Sequence, residues 1–300
     1  MSTRSPRARL AAAVAPALAL ALAAGACGSS AAHTSSSATT APPDRPARIV
    51  SLSPTATEML YAIGAGPQVK AVDDESDYPP NAPRTKLSGM EPNVEAIVNE
   101  QPDLVVVADN TAVPQLKKLG INVLVEPAAT TLADTYAQID QLGRATGRAP
   151  EARALVAHMQ QQIAAIRAAA GTPPKPLTYY YELDNTYYTA TSKTFIGALL
   201  SLIGLRNIAD AADKQGSGYP QLSSEYIVAR NPDLVLLADT KCCHQNEQTV
   251  AARPGWNSLN AVRMHDVVLL DDDIASRWGP RVVDLLRQVA SATQPAMAAP

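Results

Sequence analysis

The chain has little of what most recognisable chemistry is made from. Its 300 residues include one Phe, two Trp, three Cys and four His. Of the histidines, His33 sits in a Ser/Thr-rich stretch and His158 in a helical segment, which leaves His244 and His265. A cleft that takes bare zinc or manganese through imidazoles is therefore disfavoured, and no metal site and no cofactor are assigned. No Gly-x-Ser-x-Gly, P-loop or zinc-protease signature is present, and no catalytic residue is assigned. Basic clusters are missing as well, and with a formal net charge of −3 the chain is a poor partner for nucleic acid. The apolar run at residues 10–24 falls short of the roughly 20 residues of a membrane span.

What is present at the N-terminus reads as targeting. Arg4, Arg7 and Arg9 precede the apolar run, and Ala24-Gly25-Ala26 leads into Cys27. That is the layout of a secretory signal peptide over residues 1–26, with small residues at its cleavage site. The cysteine directly after it resembles a bacterial lipobox, which implies lipidation of Cys27 and attachment to the membrane through the lipid. Ala24 stands where a large apolar residue is usual, and an ordinary signal peptide that happens to precede a cysteine is the other reading. Residues 27–46 are Ser, Thr, Ala and Pro with almost no large apolar side chain, so they form a flexible tether. The expectation is an extracytoplasmic protein, lipid-anchored to the cell membrane. Residues 1–26 hold three arginines and no acid, so their removal takes the net charge from −3 to −6. Roughly 250 residues remain beyond the tether, enough for two lobes with real cores.

A repeat organises those residues. VEAIVNEQPDLVVVAD at 94–109 returns as SEYIVARNPDLVLLAD at 224–239, with nine of sixteen positions identical at a constant offset of 130. Both copies read as a short helix with an acidic residue near its head, a stop before Pro-Asp, and a buried strand. Around them the chain alternates. Strands are predicted at 48–52, 68–72, 103–107, 121–126, 177–183, 233–239 and 266–270, and helices at 54–66, 192–205, 223–230 and 279–290. Strand and helix in alternation predict an α/β fold with mostly parallel sheets. Residues 132–170 are helix-forming with a break near 147–150, and the second part, 151–170, spans about 30 Å without an internal glycine or proline. It reads as a strut between the repeated units. The predicted organisation is an N-terminal lobe at 47–148, a bridging helix at 149–171, a C-terminal lobe at 172–292 and a tail at 293–300.

RIVSLSPTATEMLYAIGAG at 48–66, SDYP at 76–79, the repeat unit, the central helix, YPQLSSEYIVARNPDLV at 219–235 and GPRVVDLL at 279–286 together resemble the helical-backbone class of ABC-transporter substrate-binding proteins. The resemblance spans roughly residues 46–292. It implies two Rossmann-like lobes joined by one long helix, a ligand held between them, modest hinge motion and no enzymatic activity. The implied ligand is a metal chelate, a cobalamin or other corrinoid or a ferric siderophore, with haem as the alternative. The implied partner is an ABC permease dimer, met by a monomeric receptor.

The resemblance also carries roles to particular residues. Glu95 and Glu225, one in each repeat, match glutamates that pair with arginines of the permease. A local reading stands beside it, because Asn93 and Ser223 look like N-caps and an acid in the first turn suits the helix dipole whatever its function. Tyr219 matches an aromatic that packs on the ligand, and Asp273 and Arg277 match polar ligand contacts. Tyr187 and Tyr188, in a predicted hairpin at 184–195, are either a flat wall of the cleft or strand packing. Of Tyr179, Tyr180 and Tyr181, alternation along a strand puts at least one in the core. Glu75 stands where cobalamin-binding relatives carry an aromatic, and Gly89 and Ala108 fall where further aromatics are expected. The acidic rim Asp73-Asp74-Glu75 suits amide, hydroxyl or cationic groups on a ligand. Cys242 and Cys243 read as a vicinal disulfide, with free thiols, an intermolecular bridge or, least favoured, a metal site shared with His244 as alternatives. The rival from another class is an envelope thiol redox protein using that pair, although adjacency is a poor match to Cys-x-x-Cys.

Overall fold

The computed structural model describes residues 45–171 and 175–298. The expected signal peptide, Cys27 and nearly all of the expected tether lie outside the described residues. The first lobe runs β1 (Ile49–Leu52), α1 (Pro54–Ala62), β2 (Val69–Asp73), β3 (Arg84–Leu87), α2 (Val94–Asn99), β4 (Leu104–Val107), α3 (Val113–Lys118), β5 (Asn122–Val125) and α4 (Leu132–Thr146). Its five strands make a parallel sheet in the order β3-β2-β1-β4-β5. After α5 (Ala149–Ala170) come β6 (Thr178–Glu182), α6 (Phe195–Ser201), β7 (Arg206–Asn207), α7 (Ser224–Arg230), β8 (Leu234–Leu237), α8 (Glu247–Ala251), α9 (Asn260–Arg263), β9 (Val267–Leu269), α10 (Asp272–Ala275) and α11 (Val282–Ala298). The second parallel sheet is β7-β6-β8-β9. The two parallel-sheet α/β lobes are those the alternation predicts.

Local chemistry explains the long helix. Gly147 ends α4 in the left-handed region at φ 70°, where a side chain would be strained. Pro150 then sits in the first turn of α5, where its missing N–H costs nothing. Ala152, Met159, Ile163, Ile166 and Ala170 form its buried stripe, at the spacing of one helix face. That stripe belongs to a single apolar cluster that also takes in Ile49 and Met59 of the first lobe, Tyr179 and Tyr181 of the second, and Leu286 of α11. The lobes therefore share a core through α5. Two further cores are private to the lobes. One lies beneath α2 and α3 and contains Val105, Ile97 and Leu116; the other lies beneath α7 and contains Val235, Ile227 and Trp256.

Two features differ from expectation and a third goes further than it. β3 is RTKL, a charged and largely exposed sheet-edge strand with no apolar run to mark it. The last helix continues through the expected tail to Ala298. Tyr179, Tyr180 and Tyr181 are all fully buried, because β6 is flanked by β7 and β8 and covered on both faces.

Candidate functional site

In parallel α/β sheets the chemistry collects beyond the carboxyl ends of the strands. Here those ends deliver Asp73 from β2 and the start of α1 from β1, and in the other lobe Asp239 from β8 and the 271–281 segment from β9. The two lobes meet at Glu58. Ser53 caps α1 through a bond to the Ala56 amide and Pro54 opens the helix, which sets Glu58 one turn in with its carboxylate only 2% exposed. Arg277 and Arg281 reach it from the second lobe. Arg277 Nη1 donates to Glu58 Oε1 at 3.0 Å and Arg281 Nε to Glu58 Oε2 at 2.9 Å, and Arg281 Nη2 also donates to Oε1. Arg277 further donates to Asp77 Oδ1 at 2.9 Å, to the Glu75 carbonyl at 2.9 Å and to Asp273 Oδ1 at 3.3 Å. The Arg281 guanidinium lies 4.1 Å over the Tyr78 ring, a cation–π contact that uses its face. Beside this clamp, Trp278 Nε1 donates to Gln138 Oε1 at 2.8 Å and Thr135 Oγ1 to the Trp278 carbonyl at 3.0 Å.

Charge at this seam is acidic but paired. Lys241 bridges Asp271 and Asp273, and Asp272 accepts the amides of Thr240 (2.8 Å), Lys241 (3.0 Å) and Cys242 (2.9 Å). Burial pushes Asp73 up to about 6, against the lowering pull of Ser76 and Arg277. A Cβ on Gly89 would come within 2.6 Å of the Leu52 carbonyl and 2.7 Å of Asp73 Oδ2. An aromatic cannot stand there without moving the backbone, which accounts for the departure from the aromatic pattern.

The expected ligand residues separate into groups. Tyr188 and Tyr219 come together, 43% and 53% exposed, on the rim of a 460 Å³ pocket that Asp213, Lys214 and Ser217 also line. What joins them is pairing of 187–191 with 218–222: Thr189 donates to the Pro220 carbonyl, Thr191 to that of Gly218, and Leu222 to that of Tyr187. The expected hairpin is thus reduced to a tight turn closed by Leu183 and Tyr188, and its far arm pairs with the Tyr219 segment instead. Tyr187 turns inward and stacks on Trp256 at 5.7 Å. Arg277 and Asp273 lie at the interlobe seam. Glu75 is exposed and meets Arg277 through its carbonyl rather than its carboxylate.

A second buried charge cluster sits in the C-terminal lobe. Glu182 accepts two bonds from Arg253, both at 2.6 Å, and Arg253 also donates to Gln245 at 2.7 Å. The guanidinium stacks over Trp256 at 4.6 Å. Burial and the neighbouring Glu182 push Asp239 up to about 7. Cys242 and Cys243 are free thiols. Desolvation, then Cys243 and Asp272, push the Cys242 thiol up to about 12, the wrong direction for a nucleophile. No group of His, Cys, Asp and Glu among the described residues is arranged to hold a metal ion.

Glu95 and Glu225 occupy equivalent places. Each is exposed at the second position of a short helix whose N-cap, Asn93 or Ser223, bonds the amide three residues on. Sequence reasoning passed over Glu58, Asp77 and Arg281. Only Glu58 left a trace, as an acid inside the apolar stretch EMLYAI.

The chain matches the family model described as periplasmic binding protein over residues 49–274. It is 33% identical over 261 residues to the uncharacterized ABC transporter substrate-binding lipoprotein YvrC of Bacillus subtilis, covering 83% of this chain and 81% of that protein. It is 34% identical over 258 residues to a cobalamin-binding protein of Halobacterium salinarum, covering 82% of this chain and 69% of that one. Among solved structures, the periplasmic heme-binding protein HutB of Vibrio cholerae superposes with a TM-score of 0.73 at 26% identity, over 83% of this chain and 99% of that one.

Proposed function

The chain belongs to the periplasmic binding protein family, and from that premise we propose that it is the extracytoplasmic receptor of an ABC importer for a metal chelate. The ligand is a corrinoid or a ferric siderophore, taken up between the lobes and handed to the permease. Family members are binding proteins of transporters and not enzymes, and the raised Cys242 thiol speaks against the redox alternative. The observation that carries the reading is the pair Tyr188 and Tyr219, two exposed aromatic side chains lining one pocket of the second lobe. Flat apolar faces with hydroxyl tips suit a macrocycle or a chelate shell. The relatives named for cobalamin binding and as an ABC lipoprotein support the ligand class and a lipid anchor at Cys27. Glu95 and Glu225 supply one carboxylate per lobe to arginines of a permease dimer, and the receptor works as a monomer. Haem remains the second reading, on the structural likeness to HutB.

The test is titration of residues 27–300 with cyanocobalamin, ferric tris-hydroxamate and tris-catecholate complexes and haemin, followed by Trp and Tyr fluorescence. Saturable binding of one class at micromolar affinity or tighter is the expected result. Failure of all of them to bind would overturn the proposal.

A further inference from the structure

At the lobe seam every cation is already spoken for. Arg277 is 9% exposed, and its four Nη–H positions go to Glu58, Asp77, Asp273 and the Glu75 carbonyl. Only its Nε–H lacks a partner among the described residues. Arg281 has both an edge on Glu58 and a face on Tyr78. Lys241 is divided between Asp271 and Asp273. Around these three cations stand the carboxylates of Glu58, Asp73, Asp77, Asp271, Asp272 and Asp273, so acids outnumber cations at the seam. Asp73 adds a second sign of the same excess: it is 1% exposed, and its Oδ1 has no partner among the described residues.

We propose that Glu58 is a specificity-determining residue: by engaging Arg277 and Arg281 together it withdraws from the cleft the two cations that would accept a ligand carboxylate. This rests on the reading of the cleft as a chelate site and adds the charge class it admits. An arginine whose charge is balanced and whose remaining donor is a single N–H can serve a neutral carbonyl, whereas a carboxylate wants a bidentate, charge-opposed fork. A carboxylate brought to this seam also meets Asp77 and Asp273 at close range, and like charges in a site of reduced dielectric repel strongly. The favoured ligand is thus neutral or cationic, with amide or hydroxamate oxygens outward. Chelates whose periphery is carboxylate are rejected.

Three probes separate charge from shape: cyanocobalamin, haemin with its two carboxylates, and haemin dimethyl ester, which keeps the same macrocycle without them. The wild-type chain is expected to bind cyanocobalamin, and to favour the ester over haemin by at least tenfold. Glu58→Gln removes the charge and keeps the shape. Asp77→Asn removes the more exposed partner of Arg277 and covers the case in which Glu58→Gln does not fold, which circular dichroism melting reports. In each folded variant the ester preference should shrink by at least tenfold through tighter haemin binding, and that gain should fade at high salt. Wild type binding haemin as tightly as its ester, or an unchanged preference in the folded variants, would overturn the assignment of Glu58. If none of the three probes binds wild type while a ferric hydroxamate does, the same comparison is run between that complex and a carboxylate-bearing analogue, with the same two outcomes. If no chelate binds at all, the reading of the cleft falls, and this inference with it.

Discussion

Asp103 and Asp233 make the same contact in the two lobes. Asp103 Oδ2 accepts the amides of Ala47 at 2.8 Å and Arg48 at 2.9 Å just ahead of β1, and Asp233 Oδ2 accepts the amide and hydroxyl of Thr178, both at 2.7 Å, where β6 begins. Each carboxylate is the Asp of the repeated Pro-Asp, and each ties the repeat strand to the central strand beside it. The registers agree: Ile49 faces Leu104 and Tyr179 faces Leu234, again 130 positions apart. The duplicated unit is therefore a pair of strands, even though IVSL and YYYE share no residue.

Removing these anchors should loosen the lobes unequally. Asp233→Ala strips two bonds from a half-buried strand entry and should cost about 1.5–3 kcal/mol, whereas the exposed contacts of Asp103 should cost about 0.5–1.5 kcal/mol. Urea denaturation measures both. No loss for Asp233→Ala would mean that the sheet alone sets where β6 begins.

Much of this architecture was legible because buried parallel strands are unbroken apolar runs and the repeat marks its own helix and turn. β3 was not legible, since an edge strand of Arg, Thr and Lys gives no apolar signal. The tyrosines of β6 met the expectation of at least one in the core and exceeded it, since alternation assumes one wet face and this strand has none. At the site, the exposed tyrosines and capped glutamates could be anticipated from local sequence. The clamp could not be, because Arg277 and Asp77 lie 200 positions apart and only the folded chain brings them together.

Buried acids give the fold a pH signature. Burial pushes Glu126 up to about 8, and burial with the nearby Glu182 pushes Asp239 up to about 7. Both lie above the unfolded values of about 4, so the folded state holds the extra protons, and stability should fall as pH rises from about 4 to 8. Each group contributes a slope of at most about 1.4 kcal/mol per pH unit. Glu126→Gln should melt above wild type at pH 8, with the gap closing towards pH 4. A gap independent of pH would assign the difference to packing.

Three neighbouring tyrosines should divide by role. Tyr188→Ala and Tyr219→Ala expose little and should leave stability within about 0.5 kcal/mol, while lowering affinity for the bound chelate by about tenfold. Tyr187→Ala should do the reverse in stability, because its ring is stacked on Trp256 and faced by Arg253; a loss of about 1–3 kcal/mol is expected from the aromatic contact and the area uncovered. Parallel melting and fluorescence titration separate the two effects. If Tyr188→Ala and Tyr219→Ala both leave affinity unchanged for a ligand shown to sit in the cleft, the rim is not part of the site.

The paired glutamates give the sharpest separation of structure from function. Glu95 and Glu225 are exposed, each in the first turn of a helix capped by its neighbour's side chain rather than its own, on lobe faces backed by their private cores. Changing both to Ala removes two favourable dipole contacts of about 0.3–1 kcal/mol each and no buried partner, so folding should survive with little loss and chelate affinity should be unchanged. Receptor-to-permease affinity and uptake should fall, and the difference between wild type and mutant should be larger at low salt, where exposed charges are less screened. Lys at both positions should be worse than Ala, since repulsion from permease arginines is added to the lost attraction. Under the proposed docking, with one carboxylate for each half of the permease dimer, single substitutions should each give part of the defect. Normal uptake by the double alanine variant, with normal chelate binding, would leave both residues the local task of favouring their helix starts, and the repeat would then reflect shared strand architecture alone.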